Sequence, residues 1–175
     1  NYSLSIYGTD AVISTNSFTG GLYDSGTIRG ARSLVSNNTF TSVRNGLILS
    51  SLSSLPADRI VVRDNTYTIV SDIAISSGSG NVLVTNNTIN RAGTGIYVSE
   101  NSEVRNNTIS DGTNGISAYG GTTIINNRIF HNSNLGLLLS GTTTNSGNYV
   151  YNNKVGIQLD FGSSGSVTNN IVYNN

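Results

Sequence analysis

Polar and apolar residues recur along this chain in a unit of 20 to 27 residues. The clearest marker is an asparagine, usually the second of an Asn-Asn pair, and successive markers lie 22, 27, 22, 20, 20, 21 and 22 residues apart. The residue two positions after each marker is apolar, and the residue three positions before it is apolar in every unit except one, where Asn145 stands. The markers are Asn16, Asn38, Asn65, Asn87, Asn107, Asn127, Asn148 and Asn170.

Each unit also contains a second apolar segment that opens with Gly or Asp, such as "GLILS" at Gly46, "GIYVS" at Gly95 and "GIQLD" at Gly156. Its alternate residues are apolar, as in Ile96 and Val98. A period of two is typical of a β-strand, and no helical period is present. The pattern therefore predicts short strands joined by tight turns.

A chain of short repeated strands whose like residues align is typical of a β-solenoid, because a single coil cannot bury its own inward face. Stacked coils would place the marker asparagines in a ladder joined through their side-chain amides. Asparagine also tolerates left-handed turn conformations, so we expect such a turn at the marker. We predict about eight coils in a single domain, 1–175.

Composition narrows the class of partner. Charged residues make up 10% of the chain, the net charge is zero, and Cys and Met are absent. We therefore expect no nucleic-acid partner, no disulfide framework, no metal site and no cofactor. No apolar run approaches the roughly 18 residues of a membrane span, so we expect no membrane insertion.

The coils "VTNNTINRAGTGIYVSE" and "VRNNTISDGTNGISAYG" resemble the right-handed, single-stranded parallel β-helix repeats of carbohydrate-active extracellular proteins. That group includes alginate C-5 epimerases, polysaccharide lyases and the periplasmic copper-site maturation protein of nitrous oxide reductase. The resemblance covers nearly the whole chain. It implies an all-β fold, a polysaccharide partner and an extracellular or cell-envelope location.

The catalytic motifs of the resembled enzymes are missing. The chain has no Asp-Asp pair and no Asp-Pro-His, since its only Pro is Pro56 and its only His is His131. Motif evidence therefore disfavours catalysis and leaves the question of an enzyme open. The absence of a capping helix leads us to expect a fragment of a longer chain, or ends covered by flanking domains or by another copy in a homo-oligomer.

One polar column could still carry chemistry. Arg91, Asp111 and His131 lie four residues after successive markers, so stacking would place them in a charged line. In a lyase- or epimerase-like arrangement His131 would abstract a sugar proton and Arg91 would neutralise a carboxylate. The alternative, which we favour, is a turn position that prefers Asn and Asp, with Arg and His as surface variants.

The outward positions of the second strand are the better candidates for binding. Tyr97 and Tyr119 offer aromatic rings to sugar faces, and Gln158 and Asp160 lie further along the same strand series. The alternative is that exposed tyrosine is simply common on sheet surfaces. A third column of aromatic residues, Phe130, Tyr151 and Tyr173, grows toward the C-terminal end, and we interpret it as a contact with further structure.

Three functions remain open on the sequence. The leading one is a polysaccharide-interacting β-helix module. The alternatives are a catalytic domain of lyase or epimerase type acting on acidic glycans, and a structural spike, fibre or adhesin element that oligomerises.

Overall fold

The computed structural model describes residues 4–21 and 23–175. These residues form a right-handed parallel β-helix of about eight coils, as the repeat predicted. All strand pairings among them are parallel and join one coil to the next. Each coil contributes a strand to three faces, which we number in chain order.

Face 1 consists of β1 (Leu4–Tyr7), β4 (Asp24–Gly30), β7 (Asn45–Ser51), the second halves of β9 (Thr66–Ser77) and β11 (Thr88–Val98), β14 (Asn114–Tyr119), β17 (Leu135–Ser140) and β20 (Val155–Leu159). Face 2 consists of β2 (Val12–Ser14), β5 (Leu34–Ser36), β8 (Ile60–Arg63), β10 (Val82–Thr85), β12 (Glu103–Arg105), β15 (Thr123–Ile125), β18 (Thr142–Ser146) and β21 (Ser164–Thr168). Face 3 consists of β3 (Ser17–Thr19), β6 (Thr39–Val43), the first halves of β9 and β11, β13 (Thr108–Ser110), β16 (Arg128–Phe130), β19 (Tyr149–Tyr151) and β22 (Ile171–Tyr173).

The core is a set of apolar columns that run along the rod axis. The column two residues after each marker is fully buried from Phe40 through Ile129 to Val150, and the rings of Phe40 and Tyr67 stack 4.5 Å apart. Face 1 adds a second buried column that includes Leu47 and Ile96. Each such side chain contributes roughly 1.5–3 kcal/mol through burial, so regular stacking of apolar residues holds the coils together.

The predicted asparagine ladder is continuous through all eight markers. In each step the backbone N–H and the Nδ2 of one marker donate to the Oδ1 of the next, as from Asn87 to Asn107 at 2.9 and 3.0 Å. The same bonds join Asn16 to Asn38 at one end and Asn148 to Asn170 at the other. Even the exception in the apolar column serves this ladder, since the buried Asn145 accepts a bond from Asn148 Nδ2 at 3.1 Å.

The left-handed turn does not fall on the marker, so that expectation was wrong. It falls on the residue before it, where φ lies between 54° and 59° in seven coils and Gly147 has φ 68° in the eighth. The two asparagines of each pair therefore have separate roles. The first makes the corner between faces 2 and 3, and the second turns inward to bond the next coil.

The 27-residue unit holds an extra loop on the side of the rod, which contains a 3-10 turn at Pro56–Asp58. Ion pairs fasten the loop: Arg32 binds Asp58 at 3.0 Å, and Arg59 binds Glu103 at 2.7 Å. Asn81 Nδ2 adds hydrogen bonds to two carbonyl oxygens of the loop. The loop is thus folded against neighbouring coils.

Candidate functional site

The candidate binding residues Tyr97 and Tyr119 meet on face 1. Tyr97 lies near the end of β11 and Tyr119 ends β14, the neighbouring strand. Their ring centroids are 5.3 Å apart with an interplanar angle of 41°, and both residues are partly exposed. Strand alternation directs both away from the core, because the preceding residues Ile96 and Ala118 point inward and are fully buried or nearly so.

Asp160 lies closer to this pair than Gln158 does. The ladder register carries the column of Tyr119 through Ser140 to Asp160, two coils further on. Burial raises the pKa of the Tyr119 hydroxyl, and the nearby Tyr97 and Asp160 raise it further. Gln158 shares the column of Tyr97 but lies three coils away, with Ser117 and Leu138 between them.

The sequence did not single out Phe161, the residue that follows Asp160. Its side chain is fully exposed, and its backbone N–H donates to Asp160 Oδ1 at 2.8 Å. Its position at the end of the alternating segment "GIQLD" was the available signal. Phe161 lies in the turn that follows β20, so it is an exposed aromatic ring beyond the end of this face-1 strand.

Arg91, Asp111 and His131 lie on successive coils at the corner between faces 3 and 1. All three have left-handed backbone, with φ of 58°, 59° and 56°, which accounts for the preference for Asn and Asp at this position. They border one open concavity of about 540 Å³, together with Ser71 and Ser133 among others.

The three side chains are linked only loosely. His131 Nδ1 lies 3.5 Å from Asp111 Oδ1, and both side chains are about half-exposed. Arg91 Nε donates to Asn90 Oδ1 at 3.1 Å, while Asn90 Nδ2 donates to Asp111 Oδ2 at 2.7 Å. Asn90 therefore bridges the arginine and the aspartate.

The surroundings of His131 define what its ring can do. Its Nε2 lies 3.1 Å from the Nδ2 of Asn152 on the next coil. With the amide donating to Nε2, the ring proton sits on Nδ1 and faces Asp111. A substrate proton would have to displace Asn152 before the ring could act as a base.

The third aromatic column forms a stack along the rod. The rings of Phe130, Tyr151 and Tyr173 are spaced by 5.0 Å and are nearly parallel, and Arg128 Nε donates to the Tyr151 hydroxyl at 2.8 Å. The ring faces therefore cover one another between coils, and only the ring edges turn outward. Such a stack supports the coils and offers no ring face to a sugar along its length.

A second asparagine ladder, which the sequence analysis missed, lies beside this stack. Asn132 donates through its backbone N–H and Nδ2 to Asn153 Oδ1 at 3.0 and 2.9 Å, and Asn153 binds Asn175 in the same way. The signal was a column five residues after the marker, apolar at Val43 and Val70 and asparagine in the last three coils.

Comparison with known proteins supplies the family. The family model described as "Periplasmic copper-binding protein (NosD)" matches residues 5–175. A search of curated proteins finds no match, and a search of solved structures finds none either. The match confirms the predicted β-helix repeat family, and its description as periplasmic agrees with a cell-envelope location. It assigns no carbohydrate activity. Among the described residues, no helix has the length and apolar character needed to cross a bilayer.

The residues of this chain do not fit a copper centre. Copper sites in proteins are built from imidazole, thiolate and thioether ligands. The chain has one His and neither Cys nor Met, and residues 4–21 and 23–175 contain no group of three or more His, Cys, Asp or Glu side chains that could hold a metal ion. The chain belongs to the NosD family through its β-helical repeats, which the family model matches over residues 5–175.

Proposed function

We propose that this chain is a glycan-binding β-helix module of the cell envelope, and that it holds a polysaccharide along face 1 over Tyr97 and Tyr119. The observation that carries the proposal is the pairing of two partly exposed tyrosine rings, 5.3 Å apart, on a parallel sheet. The second support is the resemblance of the repeats to those of carbohydrate-active extracellular proteins.

The chemistry of a sugar ring suits this surface. A pyranose has an apolar C–H face that packs on an aromatic ring, and hydroxyl groups that need hydrogen-bond partners. Ser140 lies in the same column as Tyr119, one coil further on, and Asp160 supplies an acceptor two coils further on. The sheet holds these groups in place before binding, so little conformational entropy is lost.

The charge of the surface indicates which glycans fit. Asp160 lies near Tyr119, and Glu100 is exposed next to the corner that follows Tyr97. Both are acidic side chains, and like charges facing each other across an interface are unfavourable. The site therefore suits a neutral glycan or one with amino sugars better than a polyuronate.

Affinity electrophoresis through gels that contain single polysaccharides tests the proposal. The wild-type protein should be retarded by at least one neutral or amino-sugar glycan. The Tyr97→Ala/Tyr119→Ala double variant should lose roughly 10- to 100-fold in affinity, because buried aromatic contacts typically carry more than about 1 kcal/mol each. Tyr149→Ala is the matched control, since Tyr149 is 51% exposed and lies on face 3.

Two results would contradict the proposal. One is a wild-type protein that no glycan in a broad panel retards. The other is a double variant that binds as well as Tyr149→Ala does.

We also propose, as the second candidate, a lyase- or epimerase-type activity on acidic glycans at the corner between faces 3 and 1. What favours it is that Arg91, Asp111 and His131 border one concavity, with the imidazole 3.5 Å from the carboxylate. In elimination, His131 would take the C5 proton of a uronate, the C4–O bond would break, and solvent would protonate the leaving oxygen. Arg91 would neutralise the sugar carboxylate.

Incubation with alginate or pectate tests this second candidate through the ultraviolet absorbance of unsaturated sugar products. The wild-type protein should generate them and His131→Gln should not. An epimerase would instead change the proton spectrum of the polymer without cleaving it. Absence of both changes with the wild-type protein would rule this candidate out.

A further inference from the structure

Face 3 carries a two-dimensional array of polar side chains on its outer surface. In each of five successive coils, two outward residues flank one residue of the core column, as Thr39 and Thr41 flank Phe40. The strand register places the ten outward residues in two continuous columns. Seven are Thr, two are Ser and one is Asn. We call them the threonine array: Ser17, Thr39, Thr66, Thr88 and Thr108 form its first column, and Thr19, Thr41, Thr68, Asn90 and Ser110 form its second.

Most hydroxyl groups of the threonine array have no partner within the protein. Among the described residues, hydrogen bonds to side chains of the array occur only at Asn90 and Ser110, and Asn90 Nδ2 donates to Ser110 Oγ at 3.0 Å. The other eight side chains all carry a hydroxyl group, and their residues are exposed or partly exposed. Because a hydroxyl group needs a hydrogen-bond partner, these eight groups must find one outside the chain.

The fold fixes the distances between these hydroxyl groups. Neighbours within a column are about 4.8 Å apart, and the two columns are about 6.7 Å apart, since they are separated by two residues along each strand. Four steps between coils give the array a length of roughly 19 Å along the rod. Threonine is branched at Cβ and adopts few χ1 rotamers, so its hydroxyl and methyl groups are held in position.

The aromatic rings beneath the array show how regular it is. Phe18, Phe40 and Tyr67 lie between the two columns in three successive coils, with ring centroids 4.7 and 4.5 Å apart and interplanar angles of 6° and 4°. Adjacent strands in open sheets turn by roughly 20–25° relative to each other. The nearly parallel rings indicate little twist in this part of face 3, so the hydroxyl groups above them repeat as a lattice.

A ligand that matches such a lattice must itself be ordered in two dimensions, and we infer that the threonine array binds the surface of ice. The two spacings of the array are close to those between water oxygens on the prism face of hexagonal ice. Holding a water molecule from the liquid in place costs up to about 2 kcal/mol of entropy, whereas the water in ice is already ordered. The threonine methyl groups add apolar surface that leaves liquid water on binding.

The composition of the array favours ice over a crystalline polysaccharide, which is another ordered surface. Proteins hold the apolar faces of sugars with aromatic rings, and none of the ten members is aromatic. None is charged either, so no ion has to give up its solvation when the surface meets ice. The array stops where Arg128 and Tyr149 continue its first column.

Uptake into slowly growing ice tests this inference. A dilute solution of the full chain is frozen onto a cooled probe, and the protein concentrations in the ice and in the remaining liquid are measured. Growing ice excludes ordinary solutes, so enrichment in the ice reports binding. The wild-type protein should be taken up, and single ice crystals grown in its presence should become faceted instead of remaining round discs.

Two variants place a large side chain above the array. Thr66→Tyr and Thr88→Arg should each reduce uptake by about tenfold, because the projecting side chain holds its neighbours away from the ice. The fold tolerates both residue types in this column, where Tyr149 and Arg128 already stand. Thr144→Tyr is the matched control, since Thr144 is an exposed threonine on β18 of face 2, and it should be taken up like the wild type. Melting temperatures check that each variant is folded.

Three results would overturn the inference. One is a wild-type protein that growing ice excludes. Another is uptake of folded Thr66→Tyr and Thr88→Arg at the level of Thr144→Tyr. The third is binding of the wild type to microcrystalline cellulose or chitin that Thr66→Tyr abolishes, without uptake into ice, which would assign the array to a crystalline glycan.

Discussion

The asparagine ladder makes a strong prediction about stability at Asn107, in the middle of the rod. Its Oδ1 accepts bonds from the backbone N–H and Nδ2 of Asn87 at 2.9 and 3.0 Å. Its Nδ2 donates to the carbonyl oxygens of Val84 and Arg105 and to Asn127 Oδ1, each at 3.0 Å. The side chain is 1% exposed, so water cannot replace these partners.

Replacing Asn107 by Ala should lower the free energy of unfolding by roughly 3–5 kcal/mol. The buried N–H of Asn87 would be left without a partner, which costs about 1–3 kcal/mol, and each of the two lost carbonyl bonds adds about 1 kcal/mol. Asn87 Nδ2 keeps its carbonyl acceptors Val62 and Thr85, so it adds little.

Urea unfolding followed by circular dichroism measures this loss against two controls. Asn106→Gly should change stability by less than about 0.5 kcal/mol, because Asn106 is exposed and Gly readily adopts its φ of 56°. Asn16→Ala should cost about 1 kcal/mol or less, since Asn16 is exposed at the end of the ladder. If Asn107→Ala costs no more than Asn16→Ala, the ladder does not hold the coils together.

Three further predictions concern buried and charged groups. The Tyr67 hydroxyl is buried without a hydrogen-bond partner, and burial raises its pKa well above 10.0. Because the unfolded chain ionises this hydroxyl at a lower pH than the folded protein does, the free energy of unfolding should be unaffected by this group below pH 10.0 and should fall as the pH rises above it. Tyr67→Phe should therefore have a free energy of unfolding about 1–3 kcal/mol higher than the wild type in urea at neutral pH, because it removes the unpaired buried hydroxyl. The variant should also not show the loss of stability that this hydroxyl causes at alkaline pH, and a destabilised variant would refute the reasoning. The Arg32 guanidinium, hydrogen-bonded to Asp10, holds the pKa of that carboxyl below 3.8, so the stability that this ion pair contributes is present above pH 3.8 and is lost as the pH falls. In low salt, the melting temperature of Arg32→Gln should therefore decrease less on acidification than that of the wild type does. High salt should remove the difference between the two proteins. Added copper should leave the melting temperature unchanged in the wild type and in His131→Ala, and a stoichiometric rise in the wild type would show a copper site that this donor set does not explain.

The repeat could be read from the sequence because the same physical demand recurs in every coil. The inward columns through Val84 and Ile89 must be apolar, and the marker must bond its neighbours through an amide. Both requirements recur once per coil, so they produce a period that is visible in the amino-acid sequence. The left-handed corner was misplaced by one residue, because asparagine satisfies the corner and the ladder equally well and the pair "NN" does not say which residue does which.

Other features depend on contacts between distant positions. The pairing of Arg59 with Glu103 spans 44 residues and follows from how the extra loop folds along the rod. The second ladder at Asn132 and Asn153 replaces an apolar column only near the C-terminal end, so it has too few members to form a visible period. Unequal coil lengths also hid the fact that Asp160, rather than Gln158, is the polar residue near the tyrosine pair.

The most direct test of glycan binding on face 1 is hydroxyl-radical footprinting of the full chain with and without a retained polysaccharide. Both candidate tyrosines are partly exposed on one face, and Tyr149, which is 51% exposed, lies on another. Our account predicts that the glycan protects Tyr97 and Tyr119 from oxidation and leaves Tyr149 unchanged. Equal oxidation of Tyr97 and Tyr119 with and without bound glycan would contradict it.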